Sequence, residues 1–200
     1  MYKISVNERF LTIGKGKRKQ AINLPYESLE TLRYALDILY HTQVKSVHIF
    51  TDEKKKVWKK FKKIATPVYA AGGLVKKNND NYLFIKRNGL WDLPKGHVEK
   101  NETFKKAAVR EVEEECSLSN VKLKKYITTT YHVYISEKKY YLKIVKWFNM
   151  EYKGKEKPKP QKNEGIEKAQ WFTIKKIPML MKKTYINIKE LVTTNVLYES

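Results

Sequence analysis

Apolar and polar residues alternate over residues 2–13 in a way that predicts two short strands, YKISV and RFLTI, turning at Asn7-Glu8. The period then lengthens. Leu29, Leu32, Ala35, Leu36 and Leu39 recur at steps of three and four, which predicts an amphipathic helix over residues 28–40 with Ser28 as its N-cap. Residues 44–50 read as a strand. Val57, Trp58, Phe61 and Ile64 mark a second helix, capped by Thr51 or Asp52. The order ββαβα predicts a small α/β module over residues 1–66. Between its strands and first helix lies GKGKRKQ (residues 14–20), which lacks the spacing of a phosphate-binding loop and reads as a mobile, solvated segment.

Thr66-Pro67 marks a boundary, and residues 67–200 form the second predicted domain. VYAAGGLV and YLFIKR read as strands around a turn at KNNDN. Gly72 and Gly73, inside a strand pattern, predict a bulge or a close backbone approach. The stretch NGLWDLPKGHVEKNET reads as a loop that feeds a helix. Two long strands follow over residues 121–135 and 139–150, then a basic loop (152–165), the strand IEKAQWF, and helices over 174–182 and 184–199.

The helix after the loop carries the candidate chemistry. Phe104, Ala107, Ala108 and Val112 define one face, while Glu111, Glu114 and Glu115, at offsets of three and four, share another. Three like charges at that spacing repel, and a hard divalent cation such as Mg²⁺ or Mn²⁺ relieves the repulsion. The rest of the chain is basic. Its 200 residues carry a formal net charge of +21, with 42 Lys and Arg against 21 Asp and Glu. That balance suits a small anionic nucleotide or polyphosphate, or RNA. Lysine dominates over arginine, as an AT-rich genome would also produce. RNA ranks below the small anions, because the basic loop lacks the aromatic residues that stack on single-stranded bases. Hydrophobic residues make up 42% of the chain, enough for a buried core. Cys116 is the only cysteine, so no intrachain disulfide forms and a reducing cytoplasm fits. MYKISVNERF does not read as a signal peptide, and no apolar run is long enough to predict a membrane helix.

Gly96, five residues, Glu102, seven residues, then Arg110-Glu111-Val112-Glu113-Glu114-Glu115-Cys116-Ser117-Leu118 resembles the Nudix box, GX5EX7REUXEEXGU. One position departs: Ser117 stands where the family has glycine. With its flanking strands the resemblance covers residues 67–183, and it implies an α/β/α sandwich around a mixed sheet. It further implies a hydrolase that cleaves a pyrophosphate linkage with divalent metal, usually Mg²⁺. Glu111, Glu114 and Glu115 would then be metal ligands, with the Gly96 carbonyl as a further one. Arg110 would orient Glu111, and Glu102 would fix the loop to the helix. WDLPKGHVEK resembles the branch acting on diadenosine and diphosphoinositol polyphosphates. There Lys95 would meet a phosphate. Glu164 matches a region where family members often place a general base or further ligand, and His132 lies on a strand expected to border the substrate cleft. Homodimers are common in the family. The alternative reading is a Nudix-like module that senses a nucleotide or associates with RNA. Retention of the carboxylates favours catalysis over sensing.

Overall fold

The computed structural model describes residues 1–78 and 81–198. The chain divides into two compact units, Met1–Val68 with Thr130–Ile144, and Tyr69–Thr129 with Val145–Ser200.

In the first unit, β1 (Tyr2–Val6) and β2 (Arg9–Gly14) form an antiparallel hairpin. Asn7 and Glu8 both take positive φ (45° and 60°), the turn geometry that matches strand twist. β2 pairs in parallel with β4 (Ser46–Phe50), whose other edge carries β3 (Ile22–Pro25). β3 adds a strand to the expected ββαβα order. It is four residues long and carries no alternating stripe, so only its pairing with β4 reveals it. Helix α1 (Leu29–His41) starts as expected: the Ser28 hydroxyl accepts from the Glu30 amide at 3.1 Å, and Thr31 completes a capping box. Helix α2 (Lys54–Ile64) begins after Glu53, and neither Thr51 nor Asp52 is its cap. The basic loop is exposed over residues 15–20, as expected of a solvated segment. It is tied down at Gly16 by His48 and at Arg18 by Asn23.

Strands β9 (Lys122–Ser136) and β10 (Lys139–Tyr152) form a long hairpin, and its far part, residues 130–144, belongs to this first unit. Ile4, Ser5 and Val6 of β1 lie in parallel register with Tyr131, His132 and Val133. Val133, Leu142 and Ile144 are buried in one core with Ile4, Leu36, Val57 and Phe61.

In the second unit, the strand order is β11 (Ile166–Thr173), β6 (Asn81–Arg87), β5 (Ala65–Lys77), β10, β9. The predicted loop at 88–103 contains two short strands, β7 (Leu90–Asp92) on β6 and β8 (Lys95–His97) on β5. Alternation divides the sheet into two apolar faces. Ala70, Leu74, Phe84 and Trp147 pack with α4 (Ile177–Leu180) and α5 (Ile186–Val192). Ala71, Val75, Leu83 and Met150 pack with α3 (Phe104–Cys116). The result is a helix–sheet–helix sandwich. The helices expected at 174–182 and 184–199 are shorter. A 3-10 turn precedes α4, and a π turn (Thr193–Leu197) follows α5. Residue 199, and Asn79 and Asp80 of the predicted KNNDN turn, lie outside the described residues. Among the described residues no helix is long and apolar enough to cross a membrane.

Candidate active site

The site is assembled on α3, entirely within the second unit. The Thr103 side chain caps the helix by accepting from the Lys106 amide at 3.3 Å. At the other end Ser117 takes φ 49° and ψ 49°, the left-handed conformation that the family's glycine would adopt without strain. Ser117→Gly is therefore expected to stabilise the protein by about 1 kcal/mol, raising Tm by about 2–4 °C in thermal unfolding. The helix charge is unaltered, so turnover should not change.

The carboxylate face of α3 is not a solvent face. Glu111 and Glu115 are buried beside Ala108, Val112 and Cys116, and only Glu114 is exposed. Burial raises the Glu111 pKa and lifts that of Glu115 to about 7, because a charge is costly away from water. Each buried carboxylate is held by donors. The Glu115 carboxylate accepts from the Lys95 amide and from the Arg87 guanidinium, both at 2.9 Å. Arg110 Nη1 donates to Glu111 and to Glu114, each at 2.9 Å. The rest of the Arg110 guanidinium meets Glu102 through two bonds, at 3.0 and 2.9 Å, and the His97 carbonyl at 2.9 Å. This two-point pairing raises the Arg110 pKa and lowers that of Glu102. Glu102 also accepts from the Glu99 amide, so it ties the entry loop to the helix.

Two glycines let the loop reach the helix. A Cβ on Gly72 would lie 2.4 Å from the Pro94 carbonyl oxygen, so only glycine there lets β8 close onto β5. A Cβ on Gly96 would lie 1.9 Å from Glu111 Oε2. The Glu111 carboxylate thus occupies the space that any larger residue at 96 would fill.

The structure brings Gly96, Arg110, Glu111 and Glu114 together, while Glu115, on the same helix, is held by Arg87 and the Lys95 amide. Glu164 comes from a 3-10 turn (Lys162–Glu164), with its carboxylate 3.4 Å from Arg87 Nη2. The preceding loop is fastened to the end of α3: the Lys159 amide donates to the Cys116 carbonyl at 2.8 Å and the Gln161 amide to the Glu115 carbonyl at 3.1 Å. Lys95, expected to offer its ammonium to a phosphate, pairs it instead with buried Asp92. A carboxylate in that apolar surrounding needs a counter-charge. His132 was expected to border the substrate cleft. It belongs to the first unit, where Nδ1 lies 3.2 Å from the Ser5 hydroxyl and the ring stacks with Tyr134.

Sequence reasoning did not single out Arg87 or Asp92. Arg87 ends a strand of buried residues, where a cation needs a partner. Asp92 sits within the apolar run LWDLP, and a charge in such a run signals a buried pair.

The donor set fits a hard divalent cation. Its oxygens are carboxylates, two of them buried, and Glu111 and Glu114 already share one cationic nitrogen. Among the described residues no three acidic, histidine or cysteine side chains stand grouped as a ready-made cage. Glu115 is turned toward Arg87 and Lys95 while the other two face Arg110.

Known proteins resemble this chain in both sequence and fold. A family model described as the NUDIX domain matches residues 66–193. An RNA pyrophosphohydrolase from Pelagibacter ubique is 31% identical over 122 residues, which cover 54% of this chain and 77% of the relative. An ADP-ribose pyrophosphatase from Methanocaldococcus jannaschii is 38% identical over 69 residues, covering 32% of this chain and 41% of that relative. Among solved structures, a C. elegans Ap4A hydrolase superposes with a TM-score of 0.51 at 18% identity, covering 66% of this chain and 97% of that one. A MutT protein from Methanosarcina mazei Go1 gives 0.53 at 18% identity, covering 65% and 93%. These two show the fold alone. The family match spans well over half of the chain and contains the whole of α3, and on that ground this protein belongs to the Nudix hydrolase family.

Proposed function

We propose that this protein is a metal-dependent pyrophosphohydrolase that cleaves a phosphoanhydride bond by water attack, in a nucleoside diphosphate-linked or polyphosphate substrate. One observation carries the reading: α3 carries Glu111, Glu114 and Glu115, the first and last of them buried, and each is held by a donor, Arg110 for Glu111 and Glu114 and Arg87 with the Lys95 amide for Glu115. Glu111, Glu114, Glu115 and the Gly96 carbonyl would hold Mg²⁺ or Mn²⁺. When bound, such an ion supplies the positive field that neutralises developing phosphate charge and acidifies the attacking water.

The chain's own residues do the positioning. Arg110 fixes Glu111 and Glu114, and the Lys95 amide fixes Glu115. Glu164 is the candidate general base, a half-exposed carboxylate oriented by Arg87 and able to accept the water's proton. The printed names of the relatives, an RNA pyrophosphohydrolase and an ADP-ribose pyrophosphatase, support a pyrophosphate in a nucleotide as the bond attacked.

The test is a product screen by mass spectrometry in isotope-labelled water. It covers diadenosine polyphosphates, ADP-ribose, deoxynucleoside triphosphates, nucleotide sugars and 5′-triphosphorylated RNA, with Mg²⁺, Mn²⁺ or a chelator. Hydrolysis of at least one substrate, abolished by chelator and placing label on a product phosphate, is expected. If none is cleaved with either metal, the catalytic reading is overturned.

A further inference from the structure

The first unit carries a pocket of about 690 Å³ whose lining includes Lys3, Lys15, Lys17, Arg18, Lys19 and Lys45 and no acidic residue. Most basic surfaces interleave acids, which cancel their field. Lys15 pairs with Asp52, which lies outside the lining, at 3.2 Å, and both of those side chains are exposed.

The loop supplying four of these cations is built and held. His48 is fully buried on β4, and burial lowers its pKa, so the ring is neutral. Its Nε2 lies 2.8 Å from the Gly16 carbonyl, which can only accept, so Nε2 carries the proton. Nδ1 then accepts from the Thr12 hydroxyl at 2.7 Å. Further along, Asn23 clamps Arg18 at both backbone atoms. Its Oδ1 accepts from the Arg18 amide at 2.7 Å, and its Nδ2 donates to the Arg18 carbonyl at 2.8 Å and the Ala21 carbonyl at 2.9 Å. Gly16 takes φ +63°, which a glycine adopts without strain. A segment with this much positive charge repels itself, and ordering it costs conformational entropy. Two clamping side chains, His48 and Asn23, offset that cost, and they hold the cations around a concavity.

From this geometry we infer that the pocket of the first unit binds a ligand bearing several phosphate groups, which it recognises through phosphate alone. Its charge exceeds what a single phosphate needs, and lysine ammonium groups meet phosphate as point charges. Phe10 is the only aromatic residue in the lining, and Lys3 Nζ already lies 3.9 Å from its ring centroid. The one aromatic ring of the lining is thus already engaged by a cation. The ligand is the phosphate backbone of a single-stranded nucleic acid or a free polyphosphate chain.

The experiment measures binding of a labelled, arbitrary-sequence single-stranded RNA to the full chain by fluorescence polarisation at low salt. Chelator is present to silence metal-dependent binding elsewhere, and inorganic tripolyphosphate is the competitor. Wild-type protein is expected to bind with an affinity that falls steeply with salt. Lys17→Glu/Arg18→Glu is expected to weaken binding at least about tenfold. The charge-matched control Lys55→Glu/Lys59→Glu, on exposed positions of α2, should stay within about twofold. Circular dichroism verifies that both variants fold. Displacement by tripolyphosphate identifies a free polyphosphate as the ligand type, and RNA binding that tripolyphosphate does not displace identifies a nucleic acid backbone. Absence of binding, equal binding by the pocket variant, or equal loss in the control overturns the inference.

Discussion

Glu115→Gln is expected to lower metal-dependent pyrophosphate hydrolysis by about 10³-fold while leaving the fold intact. Glu115 is fully buried, and its two oxygens accept from Arg87 and the Lys95 amide at 2.9 Å each. Glutamine has the same shape, and its oxygen retains one of these bonds. What disappears is a negative charge in a site where water is excluded, and there a charge is worth far more than at the surface. Burial raises the pKa of this carboxylate, so the free fold bears a cost for its charge. The amide removes that cost while turning an NH₂ toward one donor, and these effects oppose each other. A Tm within about 3 °C of wild type is therefore expected. Glu114→Gln, at an exposed position bonded to Arg110, should lower turnover by about 10²-fold. Phosphate release by purified variants, assayed with the substrate found in the product screen, is the measurement. Wild-type turnover in Glu115→Gln would overturn the proposal that α3 is a metal platform.

The helix was legible because its chemistry lies in local spacing. Gly96, Glu102, Arg110 and the glutamates are fixed by sequence interval, and helical geometry converts interval into direction. The same reasoning separated the apolar and acidic faces too cleanly. Glu111 and Glu115 follow Ala108 by three and seven residues, so helical geometry sets them beside the buried stripe, and carboxylates are seldom assigned to a core. Features made by tertiary pairing were less visible. β3, β7 and β8 have three or four residues each and exist because a neighbour supplies the hydrogen bonds. Arg87 reaches Glu115 across 28 positions, and no local period reports that. His132 illustrates the same limit. The pattern predicted its strand, but only the register with Ser5 shows that this part of β9 belongs to the first unit. The basic loop was read from its own composition, which carries no sign of its hydrogen bonds to His48 and Asn23, both outside it.

Gly96→Ala is the second large effect, and it separates steric from backbone causes. Gly96 is paired in β8 opposite Ala71 and needs no positive φ, so alanine can adopt its backbone conformation. The added methyl is the whole perturbation. It would lie 1.9 Å from Glu111 Oε2, 2.1 Å from Cδ and 2.4 Å from Oε1, all well inside van der Waals contact. Either the carboxylate swings away or β8 retreats from α3. The first course breaks the Arg110–Glu111 bond and moves a candidate ligand. The second strains the pairing of β8 with β5, which Gly72 makes close. Overpacking of this kind costs about 1–3 kcal/mol. A displacement of about 1 Å at a catalytic group costs about 10²-fold in rate. Both losses are expected together, as a Tm lowered by about 2–12 °C and kcat/KM lowered at least about 10²-fold. A double variant, Gly96→Ala with Glu111→Asp, shortens the colliding side chain by one methylene. It should recover most of the lost Tm without restoring turnover, because the shorter carboxylate no longer reaches the position that Arg110 and Gly96 define. If Gly96→Ala alone melts and turns over like wild type, the close packing of Glu111 on Gly96 is not what organises the site.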